Sequence, residues 1–220
     1  MTTCCLCSNL SSAASPEAWD KPIFESDNFV ALPSLGSLVE GWLLLVPKKH
    51  YISMGALPLS LVAEMKEMKA RVALCVKAQY GEVCVFEHGP AVASRKVGCS
   101  VDHAHLHIVP AGFDIGKAAR RFMPSDAEWV EATWTECREA HRTAKDYLYL
   151  EQPLGRGRIA THSDFGSQVF RKVIASEIGR FDDFNWREHL ELETVTKTIS
   201  VLSSKFAGAA YSNEVIARER

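Results

Sequence analysis

The chain lacks several things that would have narrowed its role. There is no basic excess: 25 Lys and Arg face 27 Asp and Glu, for a formal net charge of −2. A non-specific nucleic-acid binder usually carries a positive field, so no stable nucleic-acid partner is expected. Any phosphate must be met by a few placed groups. Long apolar runs are missing too, and the longest, Trp42 to Val46, is far too short to span a bilayer. The start, Met-Thr-Thr-Cys-Cys-Leu-Cys, has neither the basic region nor the apolar segment of a secretory signal. A soluble, cytoplasmic protein with no membrane partner is expected. Seven cysteines are an odd number for a disulfide framework and are not spaced like one. In a reducing compartment, clustered cysteines point first to metal. Repeats and low-complexity tracts are likewise missing.

What remains is an ordinary globular composition, 47% apolar and 24% charged over 220 residues. Residues 8–22 read as a loop of small and polar residues. Short β-prone runs at Phe29–Leu32 and Trp42–Val46 are bounded by Pro, Gly and Ser and predict an antiparallel pair. Pro58–Tyr80 has Leu61, Val62, Met65, Met68, Val72, Cys75 and Val76 at three- and four-residue spacing, with charges between them. That is one apolar helix face, and Gly81 is its stop. Strands are predicted at Val83–Glu87 and Ser100–Val109, the second closed by Pro110. The order gives an α+β domain, an antiparallel sheet with a packed helix. Past about residue 120, the reading is a helix over Ser125–Asp146 capped by Ser125, with Trp129, Trp134 and Cys137 as buried candidates. A hairpin over Tyr147–Glu151 and Arg158–His162 follows, then helices near Ser167–Ile178 and Leu190–Phe206. Residues 1–120 are expected to form the catalytic domain. Residues 121–220 would be a mixed helical and hairpin extension packed on it, since no flexible linker divides them.

The densest chemistry is Val101-Asp102-His103-Ala104-His105-Leu106-His107-Ile108-Val109-Pro110. In a strand, alternate side chains share a face, so the three imidazoles would point one way and Ala104, Leu106 and Ile108 into a core. Such a row is also compatible with a solvated face or a fortuitous metal site. Strict period two among only eight histidines favours function. A neutral imidazole is a competent nucleophile near pH 7 and can attack phosphorus, dividing one hard displacement into two easier ones.

His-x-His-x-His followed by apolar residues and Pro resembles the signature of the histidine-triad (HIT) superfamily. Gly41-Trp42-Leu43-Leu44-Leu45-Val46-Pro47-Lys48-Lys49-His50 is similar to that family's strand ending in Pro-Lys-x-His, and Gly98-Cys99-Ser100-Val101 to the stretch leading into the triad. Glu87-His88-Gly89-Pro90 stands in place of a Gln/Asn-x-Gly segment. The resemblance covers roughly residues 4–115 and implies a nucleotide substrate. In it His105 is the nucleophile that becomes nucleotidylated, and His107 and Ser100 hydrogen-bond the phosphate and leaving group. Ser34 falls where the family often places a ribose-binding Asp or Asn. Two departures stand out: Glu87 puts a carboxylate near the expected phosphate, with His88 available for the polar contact instead, and Trp42 replaces a common His. Each is equally compatible with a structural role.

Cys4 and Cys7 form a Cys-x-x-Cys pair, which alone is compatible with metal, redox chemistry or neither. Several bacterial HIT proteins add the Pro-x-x-His histidine and the first triad histidine to such a pair. The resemblance therefore implies a structural zinc on Cys4, Cys7, His50 and His103. Cys75, Cys84, Cys99 and Cys137 read as small core residues. Phe24, Phe29 and Leu32 are candidates for the nucleobase pocket, with core packing the equal alternative. Arg171 and Lys172 would reach a terminal phosphate only if the extension folds over the pocket, and a solvated basic face is the default. The expected activity is a nucleotide hydrolase, with a phosphorylase or nucleotidyltransferase, or a zinc-stabilised nucleotide-binding protein, as alternatives. Pairing of subunits through strands and the central helix makes a homodimer the expected assembly, unless the extension covers that face.

Overall fold

The structure is a computed structural model that describes residues 4–11, 17–98, 101–153 and 155–209. In chain order its regular elements are α1 (Cys5–Ser11), β1 (Phe24–Glu25), β2 (Phe29–Pro33), β3 (Leu43–Pro47), α2 (Leu59–Tyr80), β4 (Val83–Gly89), β5 (Leu106–Pro110), α3 (Ile115–Ala119), β6 (Val130–Glu131), α4 (Trp134–Arg142), β7 (Tyr147–Glu151), β8 (Arg158–Thr161), α5 (Val169–Glu177) and α6 (Leu192–Ala209). The strands form one eight-stranded sheet in the order β1-β2-β3-β5-β4-β7-β8-β6, antiparallel throughout. This is the expected α+β class, with a mixed helical and hairpin C-terminal part. None of the described helices is long and apolar enough to cross a membrane.

Strand parity sorts the side chains to two faces. On one face Phe29, Ala31, Leu43, Leu45, Val85, Leu106 and Ile108 pack against Met65, Met68, Val72 and Val76 of α2, with α4 and α6 beside it. The spacing that predicted α2 is thus the spacing of its buried stripe. Gly81 ends it at φ +88°, a left-handed backbone that costs glycine little, with its N–H on the Lys77 carbonyl. On the other face, Leu6 and Leu10 of α1 cover Val30, Leu32 and Val46. There Ile115 and Ala119 of α3, with Val169, Phe170 and Val173 of α5, cover Phe86, Leu148 and Leu150.

The C-terminal part does more than pack on the first: β7 pairs along β4 from Val85↔Glu151 to Gly89↔Tyr147 and so continues the sheet. Its outermost strands, β1 and β6, are two residues each. A second copy cannot add to the β4 edge, because β7 already occupies it.

Three local expectations are corrected. The strand read from Ser100 begins only at Leu106; His103 lies at a bend, and the Ala104 N–H turns to the Tyr51 carbonyl at 2.6 Å. The helix read over Ser125–Asp146 shrinks to α4, and Thr133, not Ser125, is its cap. Thr133 and Glu136 form a reciprocal capping box, with the Thr133 N–H on the Glu136 carboxylate at 2.6 Å. The loop read from residue 8 begins as the second half of α1.

Candidate active site and metal centre

Leu44 of β3 and Phe86 of β4 flank His107 of β5 by register, so His107 sits mid-sheet on the α1/α5 face. His88, two residues beyond Phe86, emerges on that face, whereas Glu87 points through the sheet to the other. Glu87 accepts from the Met54 N–H at 2.6 Å and the Tyr147 hydroxyl at 2.6 Å. Burial pushes its carboxyl up to about 7 against those two hydrogen bonds. The carboxylate that seemed ill placed beside a phosphate is therefore turned away from it.

A cavity of about 260 Å³ opens where the covers of α1 and α5 leave the sheet bare, with Ser34, His88, His105, His107 and Arg171 on its wall. Leu32, Leu44, Trp19 and Trp186 supply apolar lining, and Asn9 and Asp20 a polar edge. Of the residues anticipated from sequence, Leu32, Ser34, His88, His105 and His107 meet here. Phe29 does not: it is fully buried in the α2 core, because it stands three positions from Leu32 in one strand and must face the other way. Ser100 lies outside the described residues. Lys172 stays off the cavity, 5.1 Å from the Phe184 ring.

Each imidazole is oriented by a neighbour. His105 Nδ1 lies 2.7 Å from the His103 carbonyl, which only accepts, so Nδ1 carries the proton and Nε2 keeps its lone pair. The Trp42 indole donates to His107 Nδ1 at 3.0 Å, which leaves the proton on His107 Nε2. The His105 and His107 rings stand 4.8 Å apart, edge to face. The result is one nucleophilic nitrogen beside one N–H donor. Burial lowers all three cavity histidines below their ordinary value: His105 against the hydrogen bond to the His103 carbonyl, His107 strongly, and His88 to about 3. They are neutral at pH 7.

Trp42 and Arg171, for which a structural role or a solvated basic face was the expected alternative, both stand at the cavity histidines. The Arg171 guanidinium lies 5.0 Å from the Trp42 ring, its Nε donates to the Phe184 carbonyl at 2.9 Å, and another of its nitrogens donates to the Gly36 carbonyl. It gives the cavity a fixed positive charge on a chain of net charge −2.

Beside the cavity, Cys4, Cys7, His50 and His103 bring four ligand atoms within 4.8 Å of one another. Cys7 Sγ stands 3.3 Å from His50 Nδ1 and 3.4 Å from His103 Nδ1, and Cys4 Sγ 3.4 Å from His103 Nδ1. Thiolates and imidazoles around one tetrahedral zinc are separated by about 3.4–3.8 Å, so the donor set fits the ion. His103 Nε2 is 2.8 Å from the Pro47 carbonyl, the outer hydrogen bond that leaves Nδ1 to ligate. His103 therefore turns from the cavity to the cysteines, and only the second and third histidines of the run serve the pocket.

Against known families, residues 15–113 match the HIT domain. That segment carries a HIT domain. Among solved structures it is similar to a Zn-bound histidine triad family protein from Mycobacterium smegmatis, at 24% identity over 51% of this chain and 78% of that one, with a TM-score of 0.38. A hypothetical histidine triad nucleotide-binding protein from Sulfolobus tokodaii shares 18% identity over 64% and 91%, with a TM-score of 0.42. A uridylyltransferase shares 10% over 89% and 95%, with a TM-score of 0.42. No curated protein matches the chain. The HIT assignment rests on the domain match, which stops short of α5 and its Arg171.

Proposed function

We propose that this HIT protein is a nucleotide hydrolase acting at the α-phosphorus of a nucleoside phosphate compound through a nucleotidyl-His105 intermediate. The observation that carries the reading is the His105 imidazole, its Nδ1–H committed to the His103 carbonyl and its Nε2 left with a lone pair at the cavity wall. Nε2 attacks phosphorus, a P–N bond forms, and the P–O bond to the leaving group breaks with its electron pair going to oxygen. The imidazolium that results keeps its Nδ1–H on the carbonyl, which stabilises the positive charge. His107 Nε2–H donates to an oxygen at phosphorus, and Arg171 offsets the negative charge that gathers there. Water then attacks phosphorus, and the P–N electron pair returns to His105 as the nucleotide leaves. Ser34 and the apolar wall at Leu32 and Leu44 suit a ribose and base.

Cys4, Cys7, His50 and His103 would hold a structural zinc, whose contribution is to tie α1 to the start of β5. A reducing cytoplasm would keep these thiols available as ligands. Substrate-treated protein should gain one nucleotide by mass spectrometry, on the peptide carrying His105. Turnover of diadenosine tetraphosphate with and without inorganic phosphate separates the fates of the intermediate: AMP plus ATP means hydrolysis, ADP plus ATP means phosphorolysis. A His105→Asn protein that still acquires the nucleotide would overturn the reading.

A further inference from the structure

The α5 helix lies beyond the matched HIT segment, yet it reaches the imidazoles directly. The Phe170 N–H donates to His88 Nε2 at 3.3 Å, and the Phe170 ring packs 5.1 Å from the His88 ring and 4.5 Å from Phe86. Phe170 is the second residue of α5, where a backbone N–H has no acceptor within its own helix. An imidazole nitrogen that accepts a hydrogen bond carries no proton, so the proton of neutral His88 sits on Nδ1. That Nδ1 is enclosed and has no hydrogen-bond partner among the described residues. His88 is 4% exposed, lines the cavity, and its ring stands 5.8 Å from His107. A buried N–H donor without an acceptor costs stability, and ligand sites are where such donors are retained.

We propose that α5 completes the anion subsite of this protein, by fixing His88 as an Nδ1–H donor that takes a phosphate oxygen of the nucleotide. This rests on the nucleotide reading of the same cavity. The extension thereby sets the proton position on a residue of the HIT domain, and Arg171, the next residue of α5, brings a cation to the same wall. Two neutral donors and one guanidinium then meet the phosphate. His88 binds the ligand and takes no covalent part.

The test compares binding of AMP with binding of adenosine, which has the ribose and base but no phosphate, on the zinc-loaded full chain. His88→Leu should weaken AMP binding about 10- to 100-fold, the worth of a hydrogen bond to a charged group, and leave adenosine unchanged. His88→Asn, whose amide nitrogen stands near the position of Nδ1, should hold AMP within about 3-fold of the wild type. In the wild-type protein, imidazole nitrogen NMR should find His88 protonated on Nδ1 alone, and that resonance should move with AMP and not with adenosine. This last readout needs no variant and survives a failure of His88→Leu to fold. Equal AMP affinity in His88→Leu and wild type, or equal weakening of AMP and adenosine, would overturn the role of His88 and leave the His105 chemistry standing. Wild-type protein that binds no AMP, and labels with no nucleotide at His105, would overturn both.

Discussion

The two faces of one sheet differ in what they do with polar groups, and β4 shows it in adjacent residues. Glu87 enters the α2 face, where Tyr147 and the Met54 backbone satisfy both its oxygens. His88 enters the opposite face, where one ring nitrogen is satisfied and the other has no partner among the described residues. On the first face the β4 carboxyl has both oxygens hydrogen-bonded within the protein and serves packing. On the second face His88 Nδ1 stands unanswered among the described residues beside a cavity, the arrangement that the proposed binding role uses. Period-two alternation is enough to separate the two roles.

Breaking this division should have graded effects. The largest is at His105: replacement by Asn should lower turnover by on the order of 10⁴-fold or more, measured on diadenosine tetraphosphate, with little change in melting temperature. A fall in stability comparable to the α2-face changes would count against the division. Next comes the cysteine and histidine cluster. Purified protein should carry near-stoichiometric zinc by elemental analysis, and Cys7→Ala should lose it together with several kcal/mol of stability. Metal-free wild type of unchanged melting temperature would remove the anchoring role.

Glu87 sharpens the other side. Its folded carboxyl titrates at about 7, above the ordinary glutamate value, so the folded state holds the extra proton. Its contribution to stability is therefore present in acid and fades as pH rises from about 4.5 to 7, a slope worth roughly 3 kcal/mol in all. Glu87→Gln should flatten that slope in urea titrations across the window and leave kcat alone. The smallest effect is expected at Trp42. Trp42→Phe keeps most of the ring but removes the donor to His107 Nδ1, and a fall of about 10-fold in kcat with KM nearly unchanged is the expected split.

Much of this was legible in the sequence where spacing is local. The α2 stripe, the β2–β3 pair and the β7–β8 hairpin follow from periods read within each segment. Parity was available and underused: Phe29 and Leu32 cannot line one pocket from one strand, and neither can Glu87 and His88. The histidine run misled for a different reason. Strict alternation promised three imidazoles on one face, but His103 is pulled out of the strand by the Pro47 carbonyl and the thiols, partners 56 to 99 residues away. The α1 helix was read as loop because its apolar side has only Leu6 and Leu10 to show before it docks on Val30, Leu32 and Val46. Arg171 gave only a basic pair on a helix. Its place is decided by Gly36, 135 residues upstream. Trp42 looked like a missing histidine and proves to be the donor that orients one.

The pairing of β7 along β4 has a consequence for anyone dividing the gene. A fragment ending near residue 113, where the family match ends, would keep the cavity histidines but strip the five residues Val85–Gly89 of β4 of their β7 partner and bare Phe86 and His88. Such an edge is long, apolar and ready to recruit another copy of itself. The HIT segment of this protein is therefore not separable at its homology boundary: the portion that looks appended is the strand partner of β4 and the cover of Phe86.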